Sequence, residues 1–295
     1  MCLLGMFLKN EFRTLSMYKK YIIKDKAMYK CDLNSLKLHL LKLKIPRYST
    51  IIIHSSLFRL GIIEGGINSL MNCIREVFDE SYTIAVPTFT FKYVNTHYWS
   101  YEETKSETGI LCEKIRKLNG TLRSIHPFHS IAAFGPNAEY LTNSICESSF
   151  GANSAFEKLY KLKAYNLSLG SEFIGGATFC HYAEELLKVP YRFYKNFPGD
   201  VRNINDEKVD VNFKMYVRII EEDYQYKNIW EVYWKDVLKN KLVIYGNFNN
   251  YSPIFLMNIC DSHDFLYNRI SKNPYYVAQK VQNIKKQCNS SATLI

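Results

Sequence analysis

The apolar run Ile51-Ile52-Ile53 constrains this chain most. Three consecutive β-branched residues leave no polar face for water, so Ser49 to His54 reads as a strand buried on both faces. Gly65-Gly66 then opens a helix through Phe78, and a second apolar strand runs from Tyr82 to Val86. Strand, helix and strand of these lengths make a crossover unit with a parallel pair, although one such unit does not single out a fold. The same rhythm returns with a strand over Asn166–Gly170 and a helix over Thr178–Lys188. The expected class is α/β, with a central mostly parallel or mixed sheet flanked by helices.

Elsewhere, Asp32 caps a helix through Leu43 that Pro46 stops, and a helix is expected near Leu111–Leu118. From Pro87 to Ile131 the chain is rich in Thr, Ser, His, Tyr and Gly and reads as exposed loop surface. Past residue 200 the pattern predicts helices over Phe213–Asp223 and Trp230–Leu238, a strand over Leu242–Tyr245, and further helices before a polar tail.

With 295 residues, 47% of them hydrophobic, the chain can bury a core without disulfides or metals. No apolar run approaches the roughly 20 residues that span a bilayer, so no membrane span is expected. The net charge of +10 is concentrated: residues 1–50 hold 11 basic and 3 acidic residues, leaving only +2 for the rest. We read 1–31 as a basic arm and 32–295 as one domain. The arm lacks a clean amphipathic pattern, which fits a solvated segment better than a nucleic-acid or membrane contact. The eight cysteines form no Cys-x-x-Cys pair and no export signal is readable, so a cytoplasmic location is expected.

Four segments combine polar groups with a strand end or glycine. His54-Ser55-Ser56-Leu57 stands where a buried strand ends, a place where open α/β sheets bind ligands, though alone it reads more readily as a capped turn. Pro87-Thr-Phe-Thr90 ends the next strand and adds hydroxyls beside the first cluster if the two strands are neighbours. Thr108-Gly109 with Arg123-Ser124-Ile-His126-Pro-Phe-His129-Ser130 gathers groups able to hold an anion. His126 and His129 flank Pro127, and no Cys or carboxylate has ligand spacing, so no metal is expected. Finally, Thr178, His181, Glu184 and Glu185 share one helix face after a Gly-rich loop. A histidine paired with a carboxylate is a general base, and the helix start offers N–H groups to an oxyanion. An exposed helix with incidental His and Glu fits that segment as well. No Gly-x-Ser-x-Gly, P-loop or Gly-x-Gly-x-x-Gly occurs.

Taken together and in order, His54-Ser55-Ser56-Leu57, Pro87–Thr90, Thr108–Leu111, Arg123–Ser130 and Thr178–Glu184 resemble the pattern of the aminoglycoside 3-N-acetyltransferase family. The resemblance implies an N-acyltransferase that uses acetyl-CoA or another acyl-CoA, on a fold distinct from the GNAT acetyltransferases. It implies that His54, Ser55, Ser56 and Leu57 line the pantetheine arm, with Thr108, Gly109, Arg123, Ser124 and Ser130 helping to place CoA. His181 would be the general base, Glu184 or Glu185 would orient it, and Thr178 would stabilise the oxyanion.

The acceptor is where the pattern departs. Antibiotic-modifying members carry an Asp before the Thr-x-x-His motif, whereas here Glu172 is the only acid in that stretch. The stretch Val189-Pro-Tyr191-Arg192-Phe-Tyr-Lys195 looks like the branch associated with surface polysaccharides. The expected acceptor is therefore a small-molecule amine on an amino sugar, contacted by Thr90, Glu185, Tyr191 and Arg192, with a true aminoglycoside as the alternative. A non-catalytic relative and a nucleic-acid-binding module stand outside the class. Assembly as a homo-oligomer is compatible with the sequence.

Overall fold

A computed structural model describes residues 30–143, 145–171, 176–248 and 252–283. The basic arm, except Lys30 and Cys31, lies outside them. Lys30–Cys31 pairs in parallel with Ile62–Ile63, so the arm's last two residues join the folded body.

Seven strands form the central sheet: β1 Thr50–Ser55, β2 Thr83–Pro87, β3 Leu122–Arg123, β4 Ile131–Phe134, β5 Tyr165–Leu169, β6 Val243–Phe248 and β7 Ser252–Asn258. Their spatial order is β6-β7-β5-β1-β2-β4-β3. The middle trio β5-β1-β2 is parallel, and the strands on either side pair antiparallel, giving the mixed sheet expected. β1 and β2 are direct neighbours, which brings the first two polar segments together.

Helices cover both faces because side chains alternate along each strand. Ile51 and Ile53 pack with α1 (Leu33–Lys42), α2 (Gly66–Val77) and α3 (Ile110–Arg116), through residues such as Leu36, Leu70 and Ile115. Ile52 and Ala85 face α4 (Ala155–Lys161), α5 (Cys180–Leu186), α6 (Trp230–Lys239) and α7 (Ile259–Lys272), through Phe156, Ala183, Tyr233 and Leu266. Burying side chains of this size contributes about 1.5–3 kcal/mol each. Asp32 caps α1 as expected, its carboxylate accepting from the Asn34 amide at 3.0 Å.

Three expectations fail. Phe213–Asp223 contains a strand, Lys214–Arg218, paired antiparallel with Arg192–Asn196. The cross-strand pairs Tyr194–Tyr216 and Phe193–Val217 favour pleated pairing over the helical period of the sequence. The C-terminal part contributes β7, a strand missed because Pro253 precedes its apolar run, and then, among the described residues, one long helix, α7. Nor is the stretch from Pro87 to Ile131 all exposed loop: Tyr93, Trp99 and Phe128 join Phe197, Val201 and Phe213 in a satellite core.

Candidate active site

Adjacent strands β1 and β5 run parallel, yet the helices that follow them cover opposite faces, α2 on one and α5 on the other. At such a switch point the strands' carboxyl ends open a crevice. Gly170 shapes it: its φ is +76°, and a Cβ there would stand 2.8 Å from the Ser56 carbonyl oxygen. The crevice end of β1 presents Ser55, followed by Ser56 and Leu57, all half-buried. His54 is buried beneath them with Nε2 unpartnered among the described residues. Burial pushes its pKa down to about 4, so it is neutral at pH 7.

Helix α5 carries His181 and Glu184 one turn apart. Glu184 is fully buried, and both of its oxygens are occupied. Tyr191 Oη donates to Oε1 at 2.7 Å, Arg192 Nη2 lies 3.0 Å from Oε2, and His181 Nδ1 bonds Oε2. Arg192 also donates to the Tyr216 carbonyl at 3.0 Å. The Asn228 amide oxygen accepts from Trp230 Nε1 at 3.0 Å and from Arg192 at 3.2 Å. Burial alone would raise the Glu184 pKa, but Arg192 foremost, then His181 and Tyr191, pull it to about 2. The carboxylate is therefore charged, as a buried acid with a full set of donors should be.

The His181 side chain is 27% exposed. Burial lowers its pKa below the ordinary value, Arg192 and Arg218 lower it further, and Glu184 opposes them. A neutral imidazole whose Nδ1–H is held by Glu184 keeps its lone pair on Nε2. Phe150 and Trp230 flank the ring at centroid distances of 5.3 and 5.4 Å.

Glu185 turns away from His181. Its Oε1 accepts from Tyr194 Oη at 3.3 Å, and burial raises its pKa. Thr178 is half-buried before the helix. The first amides of α5 are not free as expected: those of Cys180, His181 and Tyr182 donate to the carbonyls of Ala177, Thr178 and Phe179 at 3.1, 3.1 and 3.0 Å. A tight 3₁₀-type first turn consumes them.

Several residues expected to hold CoA are bonded within the protein. Arg123 is 3% exposed and engages all three guanidinium nitrogens: Nε with Thr88 Oγ1 and Ser130 Oγ, Nη1 with the Tyr101 and Thr104 carbonyls, Nη2 with the Thr88 carbonyl. Its guanidinium also stacks 4.5 Å over Trp99. Ser130 is buried on Thr88, Ser124 Oγ accepts from the Ile131 amide, and Thr90 Oγ1 accepts from Trp99 Nε1. These side chains stitch the satellite core to the sheet because a buried donor left without a partner is costly. Thr108 bonds the Pro87 carbonyl, which sets exposed Gly109 beside the end of β2. Tyr191, expected as a stacking ring for the acceptor, is fully buried.

His126 and His129 are linked through Ser149, which lies 2.8 Å from His129 Nδ1 and 3.4 Å from His126 Nε2. Burial lowers both pKa values, His126 to about 3. Among the described residues no group of three His, Cys, Asp or Glu is arranged to hold a metal, and no helix is long and apolar enough to cross a membrane. Sequence reasoning missed Asn228, Trp230, Phe150 and Arg218; each comes from an element distant in sequence, and no local spacing marks it.

The model of the aminoglycoside 3-N-acetyltransferase family matches residues 52–266. An SPbeta prophage-derived aminoglycoside N(3')-acetyltransferase-like protein of Bacillus subtilis (strain 168) is 26% identical over 173 residues, which make up 51% of this chain and 62% of that relative. The chain thus spans less than two thirds of the relative it matches. The fold is similar to that of aminoglycoside acetyltransferase AAC(3)-Xa, with TM-score 0.71 and 19% identity over 82% of this chain and 93% of that one. It is also similar to AAC-IIIb in binary complex with CoASH, with TM-score 0.70 and 19% identity over 83% and 97%. With this fold, the five motifs and the family match spanning the sheet, the chain belongs to the aminoglycoside 3-N-acetyltransferase family.

Proposed function

We propose that this protein transfers an acetyl or related acyl group from CoA to an amino group of an amino sugar, with His181 as general base. The observation that carries the reading is the bonding of Glu184 to His181 Nδ1, with Tyr191 and Arg192 on the same carboxylate. Amines of pKa near 8–10 are mostly protonated at pH 7, so a base is needed before they attack a thioester. His181 Nε2 takes that proton, the imidazolium is stabilised by Glu184, and the neutral amine then attacks the thioester carbonyl. As the C–S bond breaks, the leaving thiolate takes up the proton shed by the acylated nitrogen.

On the donor side, we assign the pantetheine arm to the half-buried Ser55-Ser56-Leu57 segment at the end of β1 and to exposed Gly109 beside the end of its neighbour β2. Family membership and the CoASH complex of a fold neighbour support this assignment. Arg123 and Ser130 bond Thr88, the residue after β2, and so hold that strand end in place. Thr178, at the mouth of α5, is the hydroxyl we assign to the oxyanion. The family's name favours a second reading, an aminoglycoside acceptor.

Mass spectrometry of the protein with acetyl-CoA and a panel of aminoglycosides and nucleotide-linked amino sugars tests the proposal. A product heavier by one acetyl group is expected with at least one amino sugar. Binding of acetyl-CoA without acetylation of any amine would contradict it.

A further inference from the structure

We propose that Arg218 binds a phosphate carried by the acceptor, so that the substrate class is a phosphorylated or nucleotide-linked amino sugar. This inference rests on the acyl-transfer reading above.

Arg192 and Arg218 are direct partners in the antiparallel ladder of Arg192–Asn196 with Lys214–Arg218. They share the ladder face of Tyr194 and Tyr216, which reaches α5 and its exit through Glu185 and the Val189 carbonyl. Two like charges opposite each other are unfavourable unless each is compensated. Arg192 is compensated by Glu184. Arg218 has no carboxylate of its own: it is half-buried, makes no ion pair among the described residues, shares only the longer-range charge of the Glu184 that Arg192 already pairs, and its one hydrogen bond runs from Nη1 to the Tyr226 carbonyl at 3.3 Å.

No carboxylate near this face is paired with Arg218. Glu184 holds three donors, Glu147 pairs with Lys214 at 2.8 Å, and Glu185 is bonded at Oε1 by Tyr194 while its buried Oε2 has no partner among the described residues. Arg218 therefore keeps unspent donors directly across the ladder from Arg192, whose Nη2 lies 3.4 Å from His181 Nδ1. A planar fork of this kind matches phosphate geometry, and partial burial strengthens the attraction. The same surplus positive charge repels an acceptor that carries several ammonium groups.

The test uses calorimetry on the full chain. Desulfo-CoA is titrated first, and its failure to bind would speak against the acyl-transfer reading itself. On the desulfo-CoA-saturated protein, glucosamine, glucosamine 1-phosphate, UDP-glucosamine and gentamicin are then compared. We expect at least one phosphate-bearing sugar to bind tenfold or more tighter than both glucosamine and gentamicin, the better of the two identifying monoester or diphosphate. Arg218→Gln should bring that sugar to within about threefold of glucosamine, with Arg218→Lys intermediate. Equal or tighter binding of gentamicin, or a preference unchanged in Arg218→Gln, would overturn the proposal. An independent check on the wild type is competition by inorganic pyrophosphate, which should displace the phosphate-bearing sugar with desulfo-CoA still bound; failure to compete would also overturn it.

Discussion

His181 and Glu184 stand three residues apart on α5, and their side chains meet with Nδ1 on Oε2. That contact decides which imidazole nitrogen is free, and it ties the basicity of the exposed edge to a carboxylate that never meets water. The first prediction follows from the charges around the pair. Burial and the two arginines hold the His181 pKa below the ordinary imidazole value. A base must be neutral to act, so the acid limb of the kcat/KM profile should fall below about pH 6.5. Arg218→Gln removes a positive charge, favours imidazolium, and should shift that limb to higher pH. A limb that moves down or stays fixed in Arg218→Gln would contradict this electrostatic picture.

The grip on Glu184 is also a matter of stability. Tyr191→Phe deletes one hydrogen bond to a buried charge and should cost about 1–3 kcal/mol in urea unfolding. Arg192→Gln leaves the carboxylate without its cation and should cost about 3–5 kcal/mol. Equal losses for the two variants would mean that the ion pair adds nothing beyond a neutral hydrogen bond.

Acid should weaken the fold in two stages. His54 and His126 are buried as neutral rings with pKa values near 4 and 3, whereas unfolded histidines titrate near 6.5. Between these limits the unfolded chain binds more protons, so stability drops as pH falls from about 6.5. Glu184, at about 2 folded against 4.5 as its ordinary value, adds a further loss below pH 4.5. Urea midpoints measured from pH 7.5 to 4 should decline monotonically; a maximum near pH 5 would refute the assignment of neutral buried histidines.

Arg123 separates two roles that sequence alone merges. Because its nitrogens are bound to protein groups in the core, Arg123→Ala should destabilise the fold by about 3 kcal/mol or more, in the range of buried polar-network losses. Denaturant unfolding alongside CoA titration distinguishes the cases. Normal stability with CoA affinity alone reduced would restore Arg123 as a ligand contact.

How much was legible beforehand depends on the range of the interactions. The β1-α2-β2 unit, α5 and the pairing of His181 with Glu184 are set by local patterns: a run of β-branched residues, a glycine pair, a three-residue spacing. The ladder of Arg192–Asn196 with Lys214–Arg218 is not, since the spacing within Phe213–Asp223 also fits a helical period and only pairing with a segment some 20 residues away selects the strand. The motif around Arg123 was visible but its purpose was not, because a polar side chain reads the same whether its partners are ligands or buried carbonyls. Tyr191 and Arg192 were singled out for the acceptor, and only packing reveals that they clamp Glu184.

The central claim is that His181 moves the proton. Single-turnover acyl transfer by His181→Ala, measured beside CoA affinity, tests it most directly. The account predicts a rate lower by about 10² or more with CoA affinity nearly unchanged, as loss of a general base produces. A rate within a few-fold of wild type would contradict it.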